Sequence, residues 1–221
     1  MPITTLSVVP VRVPIGQDVL HGDLALPAHP CALILFAHGS GSSRHSPRNR
    51  VVAQALGARG FGTLLIDLLT PEEEALDRRT GHLRFDIGLL ARRLETIIDW
   101  LAVRADTGVL PIGLFGASTG GGAALVAAAA RPQAVAAVVS RGGRPDLAGA
   151  ALHNVVAPTL LIVGERDEPV IDLNREAMSR MKAEVVLNIV PGATHLFEEH
   201  GALEHVFTLA GDWFARYCIP G

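Results

Sequence analysis

The stretch VLPIGLFGASTGGGAALVAAAAR, residues 109–131, decides how the rest of the chain is read. It opens as a short apolar strand, turns at Gly116-Ala117-Ser118-Thr119-Gly120, and continues as a helix made almost wholly of Gly and Ala. A strand that breaks sharply into a helix around G-x-S-x-G is a nucleophile elbow. The turn strains the serine, and only Gly at the flanking positions lets strand and helix approach so closely. In a chain with 23 Gly among 221 residues the pentapeptide alone has little specificity. Its setting between strand and helix supplies the weight. The uncharged run from 107 to 130 is also long enough to span a bilayer, but Pro111, the Ser118-Thr119 pair and six Gly interrupt it. A buried strand followed by a core helix accounts for the same run, so no membrane partner is expected.

Working outward, the chain alternates strand and helix signals. Residues 4–15 and 18–26 read as an antiparallel hairpin turning at Gly16-Gln17, with Pro10, Pro14 and Pro27 suited to a sheet edge. Ala32–Ala37 is a continuous apolar run of the kind buried on both faces of a parallel sheet, and it ends in a Gly/Ser-rich loop, His38–Ser46. Ser46 and Pro47 predict the start of a helix carrying Val51, Val52, Ala55 and Leu56 inward and stopping near Gly60. Strands follow at 62–67, 134–139, 159–163 and 185–190. Thr70-Pro71-Glu72-Glu73 reads as a capping box for a short helix, and 85–103, about 171–182 and 201–217 as longer helices. This alternation argues for a mostly parallel sheet covered on both faces, in one domain over residues 1–221. In such sheets the functional loops sit at the carboxyl ends of the strands. There the chain places His38-Gly39-Ser40-Gly41, Asp67, Ser118, Ser140–Arg144, Asp167 and His195.

A serine is a poor nucleophile unless a base lies within hydrogen-bond reach and a third group orients that base. In elbow folds the partners come later in the order acid, then histidine. Here the strand TLLIV runs into Gly164-Glu165-Arg166-Asp167, and VVLNIV into Pro191-Gly192-Ala193-Thr194-His195. Glu165, Glu168 and Asp172 neighbour the acid position; Asp167 is preferred because it lies a few residues past the strand end, where it can reach across. Taken singly, a Ser between glycines is commonly a turn and a loop His commonly a solvated one. The order and loop placement together point to a Ser118–Asp167–His195 triad, with His195 as base and Asp167 holding its tautomer. The tetrahedral oxyanion needs donors, expected to be the Thr119 N–H and the Ser40 N–H, with Gly41 as the alternative in that loop. His38 reads as a brace of the loop rather than a base. Gly41, Arg44 and Arg141 are candidate substrate-binding residues, a guanidinium being suited to a carboxylate or phosphate. The competing reading of the arginines, which include Arg48 and Arg144, is pairing with Asp146, Glu72 or Glu73.

Four stretches together resemble the α/β-hydrolase family and, within it, the small capless dienelactone-hydrolase-like branch: HGSGSS at 38–43, GASTG at 116–120, GERDEPV at 164–170 and PGATHLF at 191–197. The resemblance covers nearly the whole chain. It implies an eight-stranded sheet with antiparallel leading strands, and the same Ser118–Asp167–His195 triad. Dienelactone hydrolases use a cysteine nucleophile; Ser118 in its place turns the expectation from lactone opening toward carboxylic ester hydrolysis. The segment from Ser140 to Pro158 is too short for a cap domain, so an open site for small or short-acyl esters is expected. Lactone hydrolysis, thioesterase, acyltransferase or perhydrolase chemistry on the same triad stay open, as does a non-catalytic binding protein on this scaffold.

The remaining composition narrows the partners. A net charge of −3 without a Lys/Arg cluster offers no field for nucleic acid. Cys31 and Cys218 lie in separate elements and imply no disulfide framework. The other histidines show no metal spacing, and neither metal nor cofactor is expected. The first sixteen residues lack a positive segment followed by an apolar one, so a cytoplasmic location is expected. Oligomeric state is not readable, and Trp213, Phe214 and Tyr217 are expected in the core.

Overall fold

The computed structural model describes residues 7–219; positions 4–6, expected to open the first strand, lie outside the described residues. The leading hairpin is β1 (Val8–Ile15) and β2 (Asp18–Ala25), paired antiparallel around Gly16 and Gln17. β3 (Leu33–Ala37), β4 (Gly62–Ile66), β5 (Ile112–Ala117), β6 (Val135–Arg141), β7 (Thr159–Gly164) and β8 (Val185–Val190) complete a sheet of order β1-β2-β4-β3-β5-β6-β7-β8. β2 meets β4 antiparallel, and every later pairing is parallel. The chain steps from β3 to β4 on one side and then returns to lay β5 on the other. That reversal opens a crevice at the carboxyl ends of β3 and β5, the place where open α/β sheets hold ligands.

The sheet separates two apolar layers because successive side chains along a strand point to opposite faces. Leu33, Leu35, Leu114 and Val138 face one layer, packed by α3 (Ile87–Ala102) and α4 (Thr119–Ala130). Ile34, Phe36, Phe115, Ala137 and Val139 face the other, packed by α1 (Pro47–Ala58) and α6 (Ala202–Cys218). β3, β4, β5 and β7 are buried along their whole lengths, which explains their unbroken apolar sequences. α3 buries Leu90, Leu94, Ile97, Ile98 and Leu101 on one stripe, and cutting a fully buried side chain such as Leu94 to Ala costs about 2–5 kcal/mol. α4 has no such stripe. It is buried nearly all round and is mostly Gly and Ala because the sheet and the 145–154 segment close on it.

Helix starts follow their capping residues. Ser46 Oγ accepts from the Asn49 N–H with Pro47 in the first turn of α1, and Thr70 and Glu73 close a reciprocal capping box on α2 (Pro71–Thr80). Asp86 caps α3, so that helix begins after Phe85, which is exposed in a separate 3-10 turn, Leu83–Phe85. The inward face of α1 is Val52, Ala53 and Leu56; Val51 is exposed, one position out of phase with the expected face. β6 runs two residues beyond its expected end and so carries Ser140 and Arg141 on the strand itself. α5 (Glu168–Arg180) begins directly after Asp167.

Between β6 and β7 the chain forms only 3-10 turns, Pro145–Asn154, broken at Gly149, and no cap domain is built there. Trp213 and Phe214 are buried, and the Trp213 indole N–H donates to the Pro158 carbonyl at 3.3 Å. Among the described residues no helix is long and apolar enough to cross a membrane, and no group of His, Cys, Asp and Glu is placed to hold a metal ion.

Candidate active site

Ser118 joins β5 to α4 with φ 51° and ψ −123°, a left-handed conformation that costs a non-glycine residue about 1–3 kcal/mol. Backbone hydrogen bonds hold it there. Its N–H donates to the Arg141 carbonyl at 3.2 Å, and its own carbonyl accepts from the Gly121 and Arg144 N–H groups, each at 3.0 Å. The flanking glycines are required by contact. A Cβ at Gly116 would lie 2.5 Å from the Gly121 Cα, and one at Gly120 would overlap the Ala37 carbonyl oxygen. Gly/Ala composition on both sides of Ser118 is therefore the local condition for the bend.

Asp167 and His195 arrive from the ends of β7 and β8. The two loops are zipped by Glu165 N–H to Val190 O at 3.0 Å and Arg166 N–H to Ala193 O at 2.9 Å. Asp167 sits at the N-cap of α5 but does not cap it; its Oδ2 accepts instead from His195 Nδ1 at 2.6 Å. Two of the three rival acids are engaged elsewhere: Glu165 accepts from the Gly192 N–H at 2.7 Å, and Asp172 faces Arg175 at 3.3 Å. His195 has a side chain 38% exposed while that of Asp167 is 14% exposed, which suits an imidazole open to substrate and an acid shielded behind it. Among the described residues no hydrogen bond joins Ser118 Oγ to the ring. Gly142, next to the Arg141 carbonyl that holds Ser118, packs on His195. A Cβ at Gly142 would meet His195 Cε1 at 3.5 Å and the His195 carbonyl oxygen at 3.2 Å. Hydrogen bonds of this kind commonly tighten only when substrate is bound.

The loop after β3 faces the same crevice. A Cβ at Gly39 would lie 3.1 Å from Ser118 Cβ, so the loop passes directly over the nucleophile. The Ser40 N–H, expected to face an oxyanion, donates to Thr119 Oγ1 at 2.9 Å. The Thr119 N–H belongs to the first turn of α4, where backbone donors have no helical partner. Gly41 takes φ 70° and lies near Arg84 Nη1. His38 spends both ring nitrogens: Nε2 accepts from the Leu68 N–H at 3.1 Å, which leaves Nδ1 as the donor to the Gly39 carbonyl at 3.0 Å. Burial pushes its pKa below the ordinary value, and the ring is a fixed neutral brace.

The candidate arginines separate sharply. Arg44 pairs with Asp67 and lies 3.6 Å from Asp23, and Arg144 pairs with Asp146 at 2.7 Å. Among the described residues no carboxylate pairs with Arg141. It is 8% exposed, its Nε and Nη1 have no acceptor, and burial, with the neighbouring Arg48, lowers its pKa to about 10. A cavity of about 490 Å³ opens on the β3–β4 side, lined by His38, Ser42, Arg44, Asp67, Thr70 and Arg78 among others. It contains none of Ser118, Asp167 and His195, and its chief cation is already paired, so the nucleophile rather than the cavity locates the chemistry. Sequence reasoning gives Phe197 no role of its own and includes Gly142 only as part of the Ser140–Arg144 strand end. Phe197 is a buried aromatic at φ 56°, where its type gives no signal, whereas Gly142 carried the ordinary signal of a glycine at a strand end.

Comparison with known proteins bears on the family and the fold. Residues 21–212 match the family described as "Dienelactone hydrolase family". A dienelactone hydrolase from Anabaena variabilis is 58% identical, with TM-score 0.95 over 96% of this chain and 99% of that one. Est1E from Butyrivibrio proteoclasticus, at 16% identity, shares the fold with TM-score 0.77 over 94% of this chain and 98% of its own. A Mycobacterium tuberculosis protein of strain H37Rv bearing the name "Putative phosphoribosyl transferase" is 58% identical over 96% of this chain. This chain covers only 47% of that relative, so it spans about half the length of the curated relatives it matches.

Proposed function

The chain belongs to the Dienelactone hydrolase family, and on that premise we propose that it is a serine hydrolase cleaving small, short-acyl carboxylic esters through an acyl-enzyme on Ser118. The observations that support the reading are a strained serine at the elbow, held by the Arg141 carbonyl, and an Asp167–His195 pair bonded at 2.6 Å and packed on the next residue, Gly142. His195 Nε2 takes the Ser118 proton as Oγ attacks the ester carbonyl, and Asp167 holds Nδ1 protonated and stabilises the imidazolium. The imidazolium then returns that proton to the departing alkoxide. Water, deprotonated by the same nitrogen, releases the acid from Ser118. The Thr119 N–H stabilises the oxyanion, and the Ser40 N–H joins it by leaving the Thr119 hydroxyl as negative charge develops.

The absence of a cap between β6 and β7, with half-exposed His195, supports small substrates met at an open crevice. The transferase name belongs to relatives about twice as long and is not what the residues of this site call for. A series of p-nitrophenyl esters tests the reading. Turnover is expected to be highest from acetate to butyrate; a maximum at long acyl chains would contradict it, and faster turnover of matched lactones or thioesters would reassign the substrate.

A further inference from the structure

Ser118 and His195 both rest on one short segment, Arg141–Arg144, where β6 ends. The Arg141 carbonyl accepts from the Ser118 N–H at 3.2 Å, and the Arg144 N–H donates to the Ser118 carbonyl at 3.0 Å. Gly142 packs on His195, and its own N–H donates to the Ile162 carbonyl of β7 at 2.7 Å. Gly143 lies against α4, where a Cβ on Gly121 would meet the Gly143 Cα at 3.1 Å. Asp167 instead heads α5: its carbonyl accepts from the Val170 and Ile171 N–H groups, each at 3.0 Å. A bond between this segment and that helix comes from Asn174, about two turns beyond Asp167 and so on the same helix face. Asn174 is fully buried, and its Nδ2 donates to the Gly143 carbonyl at 3.0 Å and to the Val170 carbonyl at 2.7 Å.

Carbonyls only accept, so the amide must turn its nitrogen to both of them. That leaves Oδ1 buried and, among the described residues, without a donor. A buried acceptor left unpaired is costly, and an apolar side chain of similar size would carry no such cost. Packing alone therefore does not call for asparagine at this position; its two donors do. We propose that Asn174 is a positioning residue for the triad, clamping Gly143 to the first turns of α5 so that Ser118, His195 and Asp167 keep one spacing. Ser118 is held by the 141–144 segment and His195 packs on it, while Asp167 belongs to α5, so the clamp joins the two bodies whose offset sets the proton path. An offset of about 1 Å between reacting groups can cost about 10² in rate. This rests on the serine hydrolase reading and adds to it a residue that touches neither substrate nor reacting atoms.

Two variants divide the bonds. Asn174→Leu removes both donors, whereas Asn174→Thr removes the one to Gly143, because a threonine hydroxyl in a helix bonds the carbonyl four residues back. With 4-nitrophenyl butyrate, kcat is expected to fall by about 10–100-fold in both, with KM within about threefold. Thr107→Val is the control: its buried hydroxyl bonds the Leu101 carbonyl at 2.8 Å, before the amino end of β5, and its loss should lower Tm with kcat unchanged. The Tm of Asn174→Leu should fall no further than that of the control; if Asn174→Leu does not fold, Asn174→Thr carries the test. Unchanged kcat in Asn174→Thr overturns the proposal, and so does an equal loss of kcat in Thr107→Val. A second readout needs no turnover. The proton between Asp167 Oδ2 and His195 Nδ1, in a bond of 2.6 Å, gives a downfield 1H resonance that should move in both Asn174 variants and stay in Thr107→Val. Movement of that resonance in a protein whose Ser118 takes no fluorophosphonate would keep the clamp and discard the serine chemistry. Labelling of Ser118 with resonance and kcat both unmoved would do the reverse.

Discussion

Ser118 stands between two flanks that carry the same residue types in opposite states. On the β3–β4 flank, His38 spends both ring nitrogens on backbone groups and Arg44 is compensated by Asp67 and Asp23. On the β6–β8 flank, among the described residues, His195 spends Nδ1 alone, on Asp167, and Arg141 pairs with no carboxylate. A histidine or arginine at a strand end is not in itself a sign of function. The part of it left unsatisfied is. One flank is a brace that fixes the loop over the nucleophile, and the other keeps the second ring nitrogen of its histidine free of a bond to the described residues.

Substitution of the two histidines should break this comparison most visibly. His195→Ala is expected to lower ester turnover by about 10⁵–10⁶, with Tm little changed. His38→Ala is expected to leave turnover within about tenfold but to cost about 1–3 kcal/mol, because the Leu68 N–H and the Gly39 carbonyl lose a buried partner. Urea titration and initial rates on the same preparations read both effects, and equal catalytic losses would erase the distinction. Next in size, Asp167→Asn should reduce kcat by about 10⁴ because it no longer fixes the tautomer, whereas Glu165→Gln, which touches Gly192, should act on the loop alone and cost less than tenfold. Arg44→Gln should cost about 1–3 kcal/mol of stability while leaving ester turnover within about tenfold.

The smallest effect is in pH. Burial holds His38 below its ordinary value of 6.5 in the fold, so the unfolded chain binds the proton more tightly. The stability this lends is complete above 6.5 and is lost as pH falls toward the lowered folded value. His38→Gln should flatten the decline of Tm over that range, and an unchanged slope would remove His38 as its source.

Much of this was legible in the sequence, for physical reasons. The elbow announces itself because nothing larger than Gly fits at 116 and 120, and Asp167 and His195 because each follows an unbroken apolar strand into a polar loop. Of the expected inward face of α1, Val52 and Leu56 are buried while Val51 is exposed and Ala53 is buried instead, since Val51-Val52-Ala53 offers apolar side chains on adjacent phases and only packing chooses. The isolation of Arg141 could not be read. Asp146, Glu72 and Glu73 stood as nominal partners in sequence, but Arg144 takes Asp146, Arg93 takes Glu73, and the longer β6 turns Arg141 toward α1. Nor does any residue type predict that Ser40 donates to Thr119 Oγ1, a bond between positions 79 apart in the chain.

The central claim is that Ser118 is a nucleophile activated by His195. Incubation with a fluorophosphonate, followed by intact mass and peptide mapping, tests it most directly. The account predicts one adduct on Ser118, absent in Ser118→Ala and nearly abolished in His195→Ala but kept in His38→Ala. An adduct elsewhere, or labelling of Ser118 at the same rate without His195, would contradict it.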